Sequence, residues 1–424
     1  MADVAIIGTG YVGLTTGAFL AHVGHRVNCA DLDPAKIELL NGGEIPIVEL
    51  GLLELVREGV DGGRLRFTVG AAAAAAEADF VFLCVQTPQG SDGAADLSHI
   101  EAAAEEIAGS LRSQSVVINK STVPVGSTIV VERALGRSDV SVVSNPEFLR
   151  EGSAVHDCFH PDRIVIGCED HAAAIRVAEL YESIKAPLLI TDPASAETIK
   201  YASNAFLATK ISFVNAIANV CEAVGADVRE VVLGMGYDKR IGFEFLRPGP
   251  GWGGSCFPKD THALVRIAED AGYDFDLLKG VIAVNEEQKE RITAKVVAAA
   301  GGSLEGVTVA AWGLTFKART DDRRDSPALD VIRRLTSQGA VVRAYDPTVA
   351  GPLPDMEVCA DAYAACEGAA VVVVLTEWDE FRWVDFGKCR AAMTGAALVD
   401  ARNLLDPASV RRQGFAYTGV GRVS

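Results

Sequence analysis

Short apolar runs alternate with stretches of helical spacing over the first 192 residues. The runs at residues 4–7, 26–30, 79–85, 116–120 and 140–144 are typical of buried strands, and apolar positions recur every three or four residues up to about residue 23, over 97–111 and over 126–135. Strands that alternate with helices in this way form parallel sheets with helices on both faces. The pattern therefore predicts an α/β domain with a doubly wound parallel sheet.

The turn after the first run carries a glycine pattern with a mechanical meaning. Gly8, Gly10 and Gly13 form GxGxxG between a strand and a helix, and Thr9, Tyr11 and Val12 fill the other positions. The glycines allow a tight turn, close approach of a pyrophosphate, and close packing of the helix, whose amino end attracts phosphate. Asp31, at the end of the second run, is placed to accept hydrogen bonds from ribose hydroxyls and would repel a 2′-phosphate. We therefore expect a Rossmann-type site that prefers NAD to NADP.

The pattern changes near residue 194. Residues 194–224 contain neither proline nor glycine and keep helical spacing throughout, which predicts one long helix of the kind that bridges domains or forms a dimer core. The last third alternates again, with strands expected at 307–312, 341–345, 370–375 and 397–399 and a helix at 327–338. We therefore expect two Rossmann-like doubly wound domains joined by a long central helix and a helical dimerisation region, with boundaries at 1–192, 193–300 and 301–424.

Polar loops follow several of the predicted strands. They contain Thr87, residues 121–124 and residues 145–151, and in open α/β sheets ligands bind beyond the carboxyl ends of the strands. On the long helix, Lys200 and Asn204 are one turn apart and face the same way, among apolar neighbours. A packed lysine is usually paired or catalytic. These loops and this helix face are therefore candidates for a site.

Cys256 is the most informative single residue. It follows Gly253 and Gly254 and precedes a helix expected over 257–271, so that its thiol is placed near the positive end of a helix dipole. That position favours the thiolate. A thiolate that adds to an aldehyde prepares its carbon for a second hydride loss, and the resulting thioester is hydrolysed to an acid. Cys256 beside an NAD site therefore predicts a four-electron oxidation of an alcohol.

Composition and charge exclude other classes of protein. Hydrophobic residues make up 49% of the chain and charged residues 23%, as in ordinary folded domains, and a net charge of −18 opposes binding to nucleic acid. The longest apolar runs, such as 370–375, are far shorter than the roughly 20 residues that cross a bilayer. Nine cysteines without metal-type spacing, and no signal peptide, favour a reducing cytoplasm without bound metal.

Six motifs in order along the chain resemble the UDP-glucose/GDP-mannose dehydrogenase family. They are residues 8–13, 121–126, 145–152, 245–249, 253–260 and 316–317. The resemblance implies oxidation of UDP-glucose to UDP-glucuronate with two NAD and one water. It also implies that Cys256 is the nucleophile, that Lys200, Asn204 and Asp260 handle the alcohol proton, the oxyanion and a water, that Thr122 binds this water, and that Glu147 is the acid–base group of thioester hydrolysis.

The resemblance implies two sets of ligand contacts and a dimer. Cofactor contacts are implied for the glycine turn and for Val12, Asp31, Lys36, Thr87, Thr122, Glu151, Lys259 and Arg324. Sugar-nucleotide contacts are implied for Glu147, Phe148, Leu149, Arg150, Glu151, Lys200, Asn204, Phe245, Leu246, Arg247, Pro248, Gly249, Gly253, Phe316, Lys317 and Arg402. Arg240 resembles an arginine that reaches into the neighbouring subunit's site, so a homodimer is the expected minimum.

Three other interpretations stay open on the residues alone. The same chemistry acts equally on GDP-mannose or a UDP-N-acetylhexosamine. A sugar-nucleotide-binding module without turnover would keep the fold, although the set Lys200, Asn204, Cys256 and Asp260 speaks against it. A two-electron β-hydroxyacid dehydrogenase would share the NAD domain and the long helix, but it would have no use for Cys256.

Overall fold

The computed structural model describes residues 1–88, 90 and 95–422. The chain divides into two compact units, one of Met1–Ser203 with His262–Tyr273 and one of Asn204–Thr261 with Asp274–Ser424. The division into three domains that we expect from the sequence stays a prediction.

The described residues of the first unit contain an eight-stranded sheet. Its strands are β1 (Asp3–Ile7), β2 (Arg26–Asp31), β3 (Leu65–Val69), β4 (Phe80–Leu83), β5 (Val116–Asn119), β6 (Ser141–Ser144), β7 (Ile164–Gly167) and β8 (Leu188–Thr191). The order is β3-β2-β1-β4-β5-β6-β7-β8, and every neighbouring pair is parallel except β6–β7, which pairs antiparallel at Ser144 and Gly167. The predicted parallel sheet is thus confirmed, with one antiparallel junction that the sequence pattern did not indicate.

Helices cover both faces of this sheet. They are α1 (Tyr11–His22), α2 (Pro34–Asn41), α3 (Leu52–Asp61), α4 (Ala71–Ala75), α5 (Ser98–Ala108), α6 (Ser127–Leu135), α7 (Ala154–Phe159) and α8 (His171–Glu179). Alternate residues of a strand point to opposite faces, so Val4 and Ile6 join the core under α1 and α3 while Ala5 and Ile7 join the core under α4 and α5. The chain changes direction across the sheet between β1 and β4. This switch point, at the carboxyl ends of the strands, is where such sheets bind ligands.

Helix α9 (Pro193–Val224) confirms the long helix expected from the sequence, and the division between the units falls within it. By length and composition alone it is long and apolar enough to cross a membrane, a property that it shares with the core helices of many folded proteins. Two of its polar side chains are bound to protein, since the Ser212 hydroxyl donates to the Val281 carbonyl at 2.8 Å and Asn215 accepts from the Gly249 amide at 2.8 Å. The side of α9 that carries these two residues therefore packs on protein.

The second unit contains a parallel sheet of six strands in the described part of the chain. They are β9 (Thr308–Trp312), β10 (Val341–Tyr345), β11 (Glu357–Val358), β12 (Val371–Val374), β13 (Ala397–Asp400) and β14 (Ala416–Thr418), in the order β11-β10-β9-β12-β13-β14. The remaining helices are α10 (Val228–Gly236), α11 (Phe257–Asp270), α12 (Asp276–Ala299), α13 (Pro327–Thr336), α14 (Ala362–Cys366), α15 (Phe386–Ala392) and α16 (Pro407–Arg412), with a 3₁₀ turn at Asp379–Arg382. The second predicted sheet is confirmed.

Candidate active site

The glycine turn joins β1 to α1 and has room for a phosphate group. Gly8 has φ of +97°, and a Cβ there would lie 2.7 Å from the Cys84 carbonyl oxygen, while a Cβ at Gly13 would lie 1.9 Å from the Gly8 oxygen. A Cβ at Gly10, in contrast, would meet nothing within 4 Å. The first amide groups of a helix have no intrahelical partner and attract anions. Two glycines therefore close the turn, and the third leaves space at the amino end of α1 that suits a pyrophosphate.

Asp31 ends β2 beside this turn and is held as a carboxylate. Its Oδ2 accepts from the Thr9 amide at 2.9 Å, the Thr9 hydroxyl at 2.6 Å and the Lys36 Nζ at 2.9 Å. Partial burial opposes ionisation of Asp31, but the hydrogen bonds from Thr9 and Lys36 outweigh it and hold the pKa well below its usual value. The structure thus brings together Asp31 and Lys36, both predicted for the NAD site, with Thr9 of the glycine turn.

Two threonines meet at the carboxyl ends of β4 and β5. The Thr87 hydroxyl donates to the Thr122 carbonyl oxygen at 2.8 Å, and the neighbouring Ser121 hydroxyl donates to the Val85 carbonyl at 2.7 Å. Thr87 is buried. Both threonines were expected near the cofactor, and the structure brings them together at the edge of the sheet.

Glu147 and Lys200 form a buried ion pair. Lys200 Nζ lies 2.7 Å from Glu147 Oε1, and both side chains are 5% exposed. Glu147 also accepts from the Leu149 amide at 2.6 Å. Burial raises the pKa of Glu147, yet the charge and hydrogen bond of Lys200, together with the Leu149 amide, outweigh it and lower that pKa. Glu147 is therefore held as a carboxylate on the loop after β6, and its partner Lys200 lies on α9.

The loop that carries Glu147 has supports that the sequence did not indicate. The Phe148 ring lies 3.5 Å from the Arg163 guanidinium and 5.5 Å from Lys200 Nζ. Arg150 forms an ion pair with Asp157 at 2.5 Å. The sequence analysis did not predict Arg163 or Asp157, because neither residue belongs to a recognisable motif. The position of Arg163 directly before β7 is the one local signal that could have indicated it. Glu151, which is half-buried, follows in the same loop.

A second cluster of predicted residues surrounds Asp260. Asp260 is fully buried, its Oδ2 accepts from Asn204 Nδ2 at 2.6 Å, and its Oδ1 lies 2.7 Å from Lys259 Nζ. Asn204 is also buried. The amide of Asn204 is therefore oriented by a carboxylate whose charge is balanced by a lysine.

Cys256 directly precedes α11, as the sequence predicts, and is half-buried. Its carbonyl accepts from the Asp260 amide at 2.8 Å, and its sulfur lies 3.5 Å from the Ser255 hydroxyl. A Cβ at Gly253 would lie 2.0 Å from the Asp325 carbonyl oxygen, and one at Gly254, where φ is +83°, would lie 2.9 Å from the Phe316 ring. Glycines are thus required for the cysteine segment to pack against residues 316–325.

Part of the expected sugar-nucleotide set gathers around Arg402. The Arg402 guanidinium donates to the Leu375 and Phe316 carbonyls at 2.8 Å each and lies 3.1 Å from Glu377. A Cβ at Gly249 would lie 3.4 Å from Arg402 Nη1. Leu246 is buried, Phe245 adopts a φ of +62°, and Lys317 Nζ lies 5.3 Å from the Phe316 ring. Arg247 and Pro248 lie between Leu246 and Gly249 in the chain.

Two other expected arginines have exposed side chains that pair with nearby aspartates, although the Arg324 carbonyl also accepts from the Gly254 amide of the cysteine segment at 3.1 Å. The Arg240 side chain is 88% exposed and pairs with Asp238 at 2.6 Å, and Arg324, which is 61% exposed, pairs with Asp322 at 2.7 Å. A cavity of about 130 Å³ lies at the amino ends of β1 and β2 and is lined by none of the expected residues. Because ligands of such sheets bind at the carboxyl ends, we assign no function to that cavity.

A doubly wound sheet with an open glycine turn and an ionised aspartate beside it, a second parallel sheet, and a cysteine at the start of a helix are typical of dinucleotide-binding α/β proteins of the dehydrogenase class. Three family models match the chain in order: the NAD binding domain of the UDP-glucose/GDP-mannose dehydrogenase family at residues 2–185, the central domain at 194–287 and the UDP binding domain at 310–407. The chain belongs to the UDP-glucose/GDP-mannose dehydrogenase family, and it carries that family's NAD-binding domain.

Curated relatives match over the full length. The chain is 46% identical to the UDP-glucose 6-dehydrogenase TuaD of Bacillus subtilis, covering 100% of this chain and 94% of that protein. It is 47% identical to a UDP-glucose 6-dehydrogenase of Rhizobium meliloti, with 99% of each covered. Among solved structures, a UDP-glucose dehydrogenase from Pyrobaculum islandicum superposes with a TM-score of 0.92 at 38% identity, covering 100% of this chain and 98% of that one.

Proposed function

We propose that this chain catalyses the NAD-dependent, four-electron oxidation of UDP-glucose to UDP-glucuronate. The observation that carries the proposal is Cys256 at the start of α11 in a chain that is 46% and 47% identical, over its full length, to UDP-glucose 6-dehydrogenases. A dehydrogenase that stopped at the aldehyde would not need a nucleophile at this position.

The first oxidation takes a hydride from C6 of the glucose and the proton from its hydroxyl, which leaves an aldehyde. NAD, when bound, accepts one hydride in each of the two oxidations. Lys200 and Asn204 stabilise the oxyanion that develops at the C6 oxygen, a contribution typically worth several kcal/mol. The buried carboxylate of Asp260, which holds Asn204 at 2.6 Å, positions the water that takes the proton, with Thr122 as a further ligand of that water.

The second oxidation depends on Cys256. Its thiolate adds to the aldehyde carbon, forming a C–S bond, and the carbonyl oxygen takes a proton to give a thiohemiacetal. Loss of the remaining C6 hydride and of that proton leaves a thioester. Water then attacks the thioester carbon, the C–S bond breaks, and Glu147 accepts a proton from the water. The balance is one UDP-glucose, two NAD⁺ and one water to one UDP-glucuronate, two NADH and three protons.

The ligand contacts follow the resemblance. NAD is held by the glycine turn, by Asp31 with Lys36, and by Val12, Thr87, Thr122, Glu151, Lys259 and Arg324. UDP-glucose is held by residues 147–151, by Lys200 and Asn204, by residues 245–249, and by Gly253, Phe316, Lys317 and Arg402. The ionised Asp31 supports the preference for NAD, because a 2′-phosphate would face its charge.

The working unit that we propose is a homodimer in the cytoplasm, with domains at 1–192, 193–300 and 301–424. One side of α9 carries Phe206, Phe213 and Val220, which are seven residues apart and 65%, 50% and 54% exposed. Residues at this spacing form one stripe along a helix, and a second copy of the chain would cover it. Arg240, whose side chain is 88% exposed, then reaches the partner subunit's site.

The test is the yield of NADH, measured by absorbance, with limiting UDP-glucose and excess NAD. We expect two NADH per UDP-glucose. One NADH would contradict the role of Cys256. Two NADH only with GDP-mannose or UDP-N-acetylglucosamine would contradict the substrate, and none with any of the three would favour a binding module without turnover.

A further inference from the structure

Glu49 is a buried carboxylate outside every motif that the sequence indicates. It lies just before α3 and is 6% exposed. Among the described residues, no lysine, arginine or histidine lies within 4 Å of its carboxylate, so neutral donors alone satisfy its charge. A buried charge without a counter-ion is costly, which makes an ordinary packing role a poor explanation for a glutamate here.

The donors to Glu49 come from two separate parts of the first unit. The Tyr11 hydroxyl, at the start of α1, donates to Glu49 Oε2, and the Gly152 amide donates to the same oxygen at 2.7 Å. The Gly152 amide also lies 2.8 Å from the Tyr11 hydroxyl oxygen, and the Val155 amide donates to Glu49 Oε1 at 3.4 Å. Burial, and then the bond to Glu49, raises the pKa of Tyr11, so its hydroxyl stays protonated and remains a donor. One carboxylate therefore joins the glycine turn to the loop that begins at Glu147.

Three backbone amides of this loop donate hydrogen bonds to carboxylates. The Leu149 amide is bound by Glu147, the Arg150 amide by Asp157 at 2.9 Å, and the Gly152 amide by Glu49. Glu147 belongs to the loop itself and Asp157 to the helix that follows it. Glu49, about a hundred residues earlier in the chain, is the one of the three that ties the loop to the first turn of α1.

We propose that Glu49 is a positioning residue that, through Tyr11 and Gly152, fixes the loop carrying Glu147 and Glu151 against the glycine turn. The inference rests on the proposed function, because in that function Glu147 is the acid–base group of thioester hydrolysis and Glu151 is a contact of NAD. The glycine turn has its own support in the bonds between Asp31 and Thr9. Loss of Glu49 therefore affects the loop and leaves the dinucleotide turn in place.

The experiment compares Glu49→Gln, Glu49→Ala and Tyr11→Phe with wild type and with Glu44→Gln, a control at an exposed glutamate of the same segment. The loss of a hydrogen bond to a charged group typically changes an equilibrium or rate constant that depends on it by about tenfold to hundredfold. We expect Glu49→Gln to lower kcat by about tenfold and Glu49→Ala by more. The dissociation constant of NAD, measured by fluorescence without sugar nucleotide, should change by a smaller factor than kcat, because Glu151 is one of several proposed NAD contacts. Glu44→Gln should match wild type.

Glu49 also accepts from the Val155 amide in the first turn of α7. If Glu49 only stabilised that helix end, the Glu49 variants would have a lower melting temperature but an unchanged kcat per folded molecule. That result would overturn the proposal. A loss confined to NAD affinity would overturn it as well. If Glu49→Ala does not fold, Tyr11→Phe, which leaves the Glu49–Gly152 bond, is still expected to lower kcat.

A second experiment, which needs no turnover, measures the rate of amide hydrogen exchange at residues 148–153 in wild type and Glu49→Gln. Faster exchange in Glu49→Gln supports the positioning role even if the proposed substrate is wrong, and unchanged exchange contradicts it.

Discussion

Replacement of Lys200 by methionine should destabilise the first unit in a way that depends on pH. The substitution leaves the Glu147 carboxylate 5% exposed, with the Leu149 amide as its nearest described donor. Breaking a buried ion pair by removing one partner typically costs about 3–5 kcal/mol, because the other charge stays buried. We therefore expect a loss of about 3–5 kcal/mol in the free energy of unfolding at pH 8.

The sign of the pH dependence follows from the pKa of Glu147. In the wild type this pKa is lowered from 4.5, so Glu147 contributes stability above pH 4.5 that is lost as the pH falls through the folded value. In Lys200→Met, burial without the cation raises the folded pKa above 4.5. The variant is then penalised at high pH, and the penalty disappears as Glu147 takes up a proton on acidification. Its deficit should shrink between pH 8 and pH 5, by about 1.4 kcal/mol for each unit by which the raised pKa exceeds 5.

Urea denaturation at pH 8 and pH 5, followed by fluorescence, measures both quantities. Lys185→Met, at an exposed lysine of the same unit, is the matched control and should stay within about 0.5 kcal/mol of wild type. The double variant Glu147→Gln/Lys200→Met should be more stable at pH 8 than Lys200→Met alone, since no buried charge remains. An equal deficit for Lys200→Met at both pH values, or no recovery in the double variant, would refute the reasoning.

Three further changes test other parts of the site and assembly. Cys256→Ser should still support the first hydride transfer but not steady-state release of UDP-glucuronate, whereas Cys359→Ser, at another half-buried cysteine, should turn over normally; product analysis by chromatography compares the two. Asp31→Ser should raise the dissociation constant of NAD about tenfold or more and reduce the preference for NAD over NADP, both measured by fluorescence titration. An unchanged ratio of the two dissociation constants would contradict the role of Asp31. Phe213→Asp on the exposed side of α9 should yield monomers in light scattering; a dimer of unchanged stability would show that this stripe is not the interface.

Sequence reasoning reached the elements whose signals are local. Short-range patterns predicted the strand before Gly8, the second strand that ends at Asp31, and the long helix. The predicted bounds of these three elements agree with the structure within two residues. Strands β3, β7 and β8 of the first sheet were missed. In β7 and β8 only three consecutive residues are apolar, and such a short run fits a strand or part of a helix equally well. The antiparallel pairing of β6 with β7 rests on contact between Ser144 and Gly167, and a run of apolar residues carries no information about the direction of its neighbour.

The contacts between site residues depended on the fold. Glu147 and Lys200 are each recognisable from their surroundings in the sequence, but the 2.7 Å ion pair joins positions 53 residues apart and follows only from the packing of α9. Glu49 has no local signal at all, since a lone glutamate in a loop is ordinarily solvated. Long-range polar contacts of this kind must be read from the structure.

The two sheets share one arrangement at the turn after the first strand but differ in the space that this turn leaves. In both, an aspartate at the end of the second strand binds the turn after the first: Asp31 binds Thr9, and Asp346 accepts from the Leu314 amide at 2.8 Å. Asp346 also accepts from Trp378 Nε1 at 3.0 Å and is 1% exposed, and a Cβ at Gly313 would lie 2.3 Å from Thr376. Two residues after Gly313, where the first turn has the open Gly10, the second turn has Thr315, which is fully buried and whose hydroxyl donates to Asp346 at 3.2 Å. The open glycine turn that suits a pyrophosphate is therefore present after the first strand of the first sheet and is not repeated at residues 313–317 of the second sheet.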